Sequence, residues 1–350
     1  MHILPEEGGT HMRLLTALCL AAYLLLDSEA ALLRAREAMA LWANAVAPSL
    51  FPFLALLPAL TDDQSLKVYE RLFGKAMNRL FRVSGACAAP CLIGLIAGSP
   101  AGSVATLRAY QAGAISGRDA RVLSALSTGV GPVFIISSVG GGMMNDVSQG
   151  VRLLACVWIS SFLTAFLVSF IRSEGDNTFF EGGKCENPPG AIREAVFGIL
   201  TVAGYMTFFR VFAGGLPGSI YAFFEVSGGC SVAAESDNFV MASAVIGFGG
   251  ICLIVQNHAF LKKTKVCFWE FIGIKALTCA LCTLLGRFLP KLTPFERGFS
   301  PDAYMFSCVL AISMALLCLG LAAASHVYKR HGMKQNEKQY TDPIKGMTRK

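Results

Sequence analysis

The sequence predicts an all-α polytopic membrane protein with about eight transmembrane helices and two re-entrant hairpins arranged as an inverted repeat. Three observations carry this expectation. Of 350 residues, 54% are hydrophobic and 15% charged, with a mean hydropathy of +0.55, well outside the balance of a soluble domain. Apolar stretches of about 20 residues, the length that crosses the hydrocarbon of a bilayer, recur along the whole chain. Two of these stretches are interrupted by glycine, proline and serine, at a depth where lipid allows a broken helix only beside protein or a wet cavity.

Full spans are expected at 12–26, 38–60, 121–143, 151–171, 193–216, 239–260, 266–289 and 303–327. The first could also begin a secretory signal, but no small-x-small cleavage site follows before Asp27 and further spans come after it. Residues 1–11 are expected as a disordered extension, 12–328 as one transmembrane domain, and 329–350 as a basic cytoplasmic tail. The two interrupted stretches are 83–111, broken at Gly98, Ser99, Pro100, Ala101 and Gly102, and 216–234, broken at Ser227, Gly228 and Gly229. Each reads as a pair of half-helices. The 12 cysteines lie scattered, several inside apolar stretches as small hydrophobes, and their spacing forms neither a disulfide framework nor a zinc pattern.

The formal charge of +7 sits in short loops and in the tail, as orientation in a membrane requires, so nucleic acid is not an expected partner. Lys67, Arg71, Lys75, Arg79 and Arg82 recur at three- and four-residue spacing and predict an amphipathic surface helix. Arg118 and Arg121, Arg172 with Lys184 and Arg193, Lys262, Lys263 and Lys265, and the tail all fall on that same, cytoplasmic side if both interrupted stretches are re-entrant. Lys291 and Arg297 are the exceptions.

A repeat runs through the same elements. Ala35, Arg36, Glu37 and Ala38 open one span and Ile192, Arg193, Glu194 and Ala195 another; Ser103, Val104 and Ala105 follow the first break as Ser231, Val232 and Ala233 follow the second. Gly129, Gly131 and Pro132 in one glycine-rich span answer Gly247, Gly249 and Gly250 in a later one. The copies, about 35–172 and 192–328, are of opposite orientation by the loop charges. Inverted repeats with discontinuous helices are the pattern of secondary transporters, whose sites lie where the breaks meet.

Gly98, Ser99, Pro100, Ala101, Gly102 and Ser103, then 113–116, then Gly131, Pro132 and 133–136 resemble the nucleoside-recognition (Gate) domain of the YlbJ-type sporulation integral membrane proteins. The similarity continues through Glu225, Val226 and Ser227 and through 249–256. The family's polar Asn-Asn-Ser run before its Gly-Pro is replaced here by Thr128, Gly129 and Val130. What the resemblance implies is a carrier related in architecture to concentrative nucleoside transporters, with members linked to moving dipicolinate. Thr128, Gly129, Gly131 and Pro132 join the expected site on this ground.

Other candidates come from residue chemistry. Gly94, Gly98 and Gly102 recur every fourth residue, the spacing of close helix packing in lipid, but Pro100 within the run opens a half-helix N-terminus whose Gly102 and Ser103 amides could face an anion. Ser227, Gly228, Gly229 and Ser231 form the matching break, or a plain loop. Glu225 beside it is either a functional intramembrane carboxylate or solvated at the interface. Lys275 falls mid-span, where a lone ammonium costs about 2.5–3.5 kcal/mol; it is expected to line a cavity, with Glu225 as partner. Arg108 and Arg210 lie nearer span ends and are expected to snorkel. Asn44, Gln256 and Asn257 are intramembrane amides that either hold a neighbouring helix or bind solute, and His258 is expected at the interface.

The functional expectation is alternating-access movement of a small polar solute, an anionic aromatic carboxylate such as dipicolinate or a nucleoside-like molecule. The alternative is a membrane scaffold that moves nothing, which gives no reason for two matched breaks. No metal-binding His-Glu-x-x-His helix, phosphate loop or nucleophile elbow occurs in the sequence, so no enzyme is expected. The expected partners are the lipid bilayer and the solute, with a homo-oligomer left open. No cofactor is expected, and coupling to Na+ or H+ stays open.

Overall fold

The computed structural model describes residues 7–171 and 190–289, and every regular element among them is helical. The expected span 303–327, the tail 329–350, and Arg172, Lys184, Lys291 and Arg297 lie outside the described residues. Helix α1, Glu7–Leu26, begins ahead of the expected start at Met12. Helices α2, Ser28–Leu41, and α3, Ala47–Leu60, join through a π-helical turn, Trp42–Val46, into one long span. Pro48 lacks the amide that an α-helical ladder needs, and the wider turn just before it absorbs the mismatch.

Helix α4, Asp63–Phe81, is the expected amphipathic helix. The Asp62 carboxylate caps it, accepting from the Ser65 amide at 2.7 Å. Lys67, Arg71, Lys75 and Arg79 are exposed while Leu66, Met77 and Phe81 are buried. It meets the following helical stretch Gly85–Ala97 at 98°, so it lies across that stretch and does not continue it.

Helices α5, Ala88–Ala97, and α6, Ala101–Gln111, fold back on each other. Then come α7, Gly117–Leu126, started by a reciprocal Ser116–Asp119 capping box, a non-helical stretch, a π-helix Phe134–Met143, and α8, Val147–Val168. The described chain resumes at residue 190. There is a span α9, Ala191–Ala213; a folded pair α10, Gly218–Phe224, and α11, Val226–Glu235; an interrupted helix α12, Phe239–Phe248, with α13, Gly250–Leu261; and a span α14, Phe268–Phe288.

Two spans expected to be continuous are broken. The stretch 121–143 unwinds after Leu126, and 239–260 breaks at Gly249 and Gly250, whose φ angles of 83° and 74° suit glycine. The second hairpin breaks at Glu225, whose backbone is extended; Ser227, Gly228 and Gly229, expected as the break, are the first turns of α11.

Among the described residues, five helical segments are long and apolar enough to cross a bilayer, or six if the bent pair 63–97 is one span. The outer faces of these segments and of α1 carry large apolar side chains open to the surroundings, with Leu26 89%, Trp269 75% and Phe288 72% exposed. Ser103, Arg108, Gln256, Asn257 and Lys275 are buried instead. Apolar outside with polar inside is the distribution lipid imposes, and the chain is a multi-pass membrane protein.

Candidate functional site

The first break is held from two directions. The Ser99 amide donates to the Gly129 carbonyl at 2.8 Å, tying the hairpin tip to the unwound stretch after α7. Gly94 and Gly102 lie flush against that stretch: a Cβ on Gly102 would be 2.1 Å from the Ser127 carbonyl oxygen, and one on Gly94 2.4 Å from the Ser127 Cα. From the other half, Asn257 Oδ1 on α13 accepts from Ser99 Oγ at 2.8 Å and Ser103 Oγ at 2.6 Å, while its Nδ2 donates to the Leu253 carbonyl at 2.7 Å. Asn257 is thus helix glue of the expected kind.

The second break is organised by Glu225. Its carboxylate accepts from the amides of Ser227 at 2.9 Å and Gly228 at 2.8 Å, and from the hydroxyls of Ser227 and Tyr221. It therefore caps α11, and Arg210 pairs with it at 3.4 Å. Of the free amides expected at the half-helix starts, those of Ser227 and Gly228 in α11 are occupied by Glu225, and that of Gly102 by the Gly98 carbonyl at 3.1 Å.

Three expected side-chain roles are corrected. Arg210 does not snorkel; it bridges Glu225 and, at 3.2 Å, Glu37. Arg108 is buried as well, donating to Thr61 Oγ1 at 2.9 Å and pairing with Glu194 at 3.1 Å. Lys275 is buried but neither pairs with Glu225 nor lines the cavity described next; its ammonium donates to the Thr128 carbonyl at 3.5 Å, at the unwound stretch after α7. His258 lies half-buried against Phe268 with Nε2 3.1 Å from the Val266 carbonyl, closing the turn before α14.

A cavity of about 500 Å³ opens where these elements meet, a size that suits a small molecule. Of the expected site residues, Asn44, Ser99, Gly131, Glu225, Ser227 and Gln256 line it. Pro100, Gly102, Ser103, Thr128, Gly129, Pro132, Gly228, Gly229, Ser231 and Lys275 do not. Ser103 is turned to Asn257, and Ser231 Oγ to the Ser227 carbonyl at 3.3 Å and Met143 Sδ at 3.8 Å. Sequence reasoning missed Ser137 and Ser138, two adjacent hydroxyls of the π-helix that also line the cavity; a Ser-Ser pair inside a span is the signal that could have found them. Phe53, Phe134 and Leu253 supply apolar wall, and among the described lining residues Glu225 carries the only formal charge.

No family model matches the chain, and no solved structure does. The sporulation integral membrane protein YlbJ of Bacillus subtilis (strain 168) is 22% identical to it over 354 residues, taking in 85% of this chain and 86% of that protein. The likeness runs through most of both chains, and the protein is thereby a homologue of the YlbJ-type sporulation integral membrane proteins.

Proposed function

We propose that the protein is a carrier that moves a small polar solute by alternating access, with its halves as inverted repeats and the pairs α5–α6 and α10–α11 as re-entrant hairpins. The observation that supports this reading is one cavity bounded by both breaks, by Ser99 at the first and by Glu225 and Ser227 at the second. Broken helices at membrane depth leave backbone groups that lipid cannot satisfy, and a shared wet cavity accounts for both breaks at once. Carbonyls released at such breaks are also the groups a coupling Na+ or H+ would meet. The YlbJ relative is named for sporulation, and a role in spore formation is the corresponding proposal for this chain.

Sided accessibility tests the carrier reading. Ser137 and Ser138 line the cavity, and Ser137→Cys and Ser138→Cys in a cysteine-free background are expected to react with a membrane-impermeant maleimide from either side of a proteoliposome. Reaction from one side only would leave a blind pocket and remove the carrier reading.

A further inference from the structure

We infer that the end of the molecule where α8, α12 and α14 meet carries a binding site for a phosphate group, and that this phosphate is the phosphodiester of an anionic phospholipid. The site is separate from the cavity between the breaks and does not depend on the carrier reading.

A cavity of about 500 Å³ opens there, and Arg152, Ser236, Asp237, Asn238, Phe239 and Arg287 are among the described residues that line it. Arg152 sits in the second turn of α8 and is 5% exposed, so it does not reach out to water as a snorkelling arginine does. Phe239 on α12 covers it, with the guanidinium carbon 3.5 Å from the ring centroid. Its Nε is sealed beneath this cover and has no hydrogen-bond partner. Its terminal nitrogens are not sealed, and no acceptor among the described residues engages them. Asp146, the acid at the start of the same helix, is turned away to Ser148, accepting from its amide at 2.9 Å and its hydroxyl at 2.7 Å. Burying a guanidinium without a counter-charge is costly, and an oxyanion in the cavity would supply the charge that the chain withholds.

The rest of the lining fits the same ligand. Arg287, in the last turn of α14, is exposed and has no ion pair among the described residues. Asn238 gives its Oδ1 to the Met241 amide at 2.9 Å, which leaves its Nδ2 to donate. Two guanidiniums against the one carboxylate of Asp237 leave a single net positive charge, which matches a phosphodiester better than a dianion. Depth points to the source. Both α8 and α14 are long and apolar enough to cross a bilayer, and the cavity lies where α8 begins and α14 ends, at the level of the headgroups. Phe288, between Arg287 and Leu289 of the lining, is 72% exposed, as a side chain set against acyl chains is. The 21 residues of α14, about 30 Å of helix, separate the site from Lys262, Lys263 and Lys265, so it serves the opposite leaflet.

Melting of the purified full-length protein tests the site in three settings: detergent micelles with added phosphatidylglycerol, micelles with added phosphatidylcholine, and plain micelles with inorganic phosphate. Phosphatidylglycerol is expected to raise the melting temperature by several degrees over phosphatidylcholine, and inorganic phosphate to leave it unchanged. Arg152→Gln and Arg287→Gln should each lose most of that rise. Lys75→Gln, the same change of charge on α4 and away from the cavity, should keep it. Arg287 is exposed, so its variant tests the site even where Arg152→Gln fails to fold. An equal rise with inorganic phosphate would keep the site and overturn the lipid as its source. No rise with either anion, an equal rise with phosphatidylcholine, or a rise that Arg287→Gln keeps in full would each overturn the site itself.

Discussion

Glu225 supplies from within the chain the anion that a helix N-terminus attracts. Two amides, two hydroxyls and a guanidinium converge on its carboxylate, which is 3% exposed. Losing a cap costs about 1 kcal/mol, and losing hydrogen bonds to a charged group about 1.5–3 kcal/mol. Glu225→Ala is therefore expected to destabilise the protein by about 2–4 kcal/mol, and Glu225→Gln by less, because the one oxygen of an amide can still accept from one of the Ser227 and Gly228 amides, which bind different oxygens of the carboxylate. Thermal unfolding of the two purified variants checks the order; an alanine variant as stable as the glutamine one would mean that the carboxylate does not cap α11. The sequence left this carboxylate open between burial in a span and solvation at the interface, and its 3% exposure decides for burial. Its partner was not legible. The ammonium of Lys275 was the expected match by charge alone, but Arg210 on α9 reaches Glu225 first, because the short helix α10 returns the chain to the side of α9.

At the scale of elements, glycines decide how closely the broken helices meet. Gly94, Gly98 and Gly102 have in sequence the four-residue spacing of close helix packing, interrupted by Pro100. Around the folded pair α5–α6 they instead gather on one contact, Gly94 and Gly102 against Ser127, and Gly98 with its would-be Cβ 2.5 Å from the Gly131 Cα. Gly102→Ala is expected to cost about 1–3 kcal/mol by overpacking, since the obstructing atom is a backbone oxygen that cannot step aside. Gly129→Ala is the control, having nothing within 4 Å of its would-be Cβ, and should stay within about 0.5 kcal/mol of the parent. Melting temperatures of the two variants check this, and equal values would contradict the close approach. The first break was legible because glycine, serine and proline interrupt the apolar run at 98–102; the second was placed two residues late, because Ser227, Gly228 and Gly229 continue as helix once Glu225 caps them. The breaks within 121–143 and 239–260 were not legible, because hydropathy over a window of spanning length is the same for a straight helix and for two short ones in line.

At the scale of the whole molecule, sidedness follows from the basic clusters. Lys67, Arg71, Lys75 and Arg79 on α4 and Lys262, Lys263 and Lys265 after α13 are all exposed, and basic loops resist translocation. Single cysteines at Lys75 and Lys263 are expected to be labelled from the same side of the membrane. Labelling from opposite sides would contradict the proposed re-entrant hairpins and the proposed inverted repeat. Membrane residence and helical class were legible from composition and span length. The contact of the first break with α13 was less so, because it depends on bonds such as those of Asn257 that no local pattern encodes. That contact has a mechanical consequence. Two hydroxyls, of Ser99 and Ser103, share a single oxygen atom on α13, so lifting that break from α13 releases both bonds together. The whole polar hold of α6 and its preceding turn on α13 therefore passes through the side chain of Asn257.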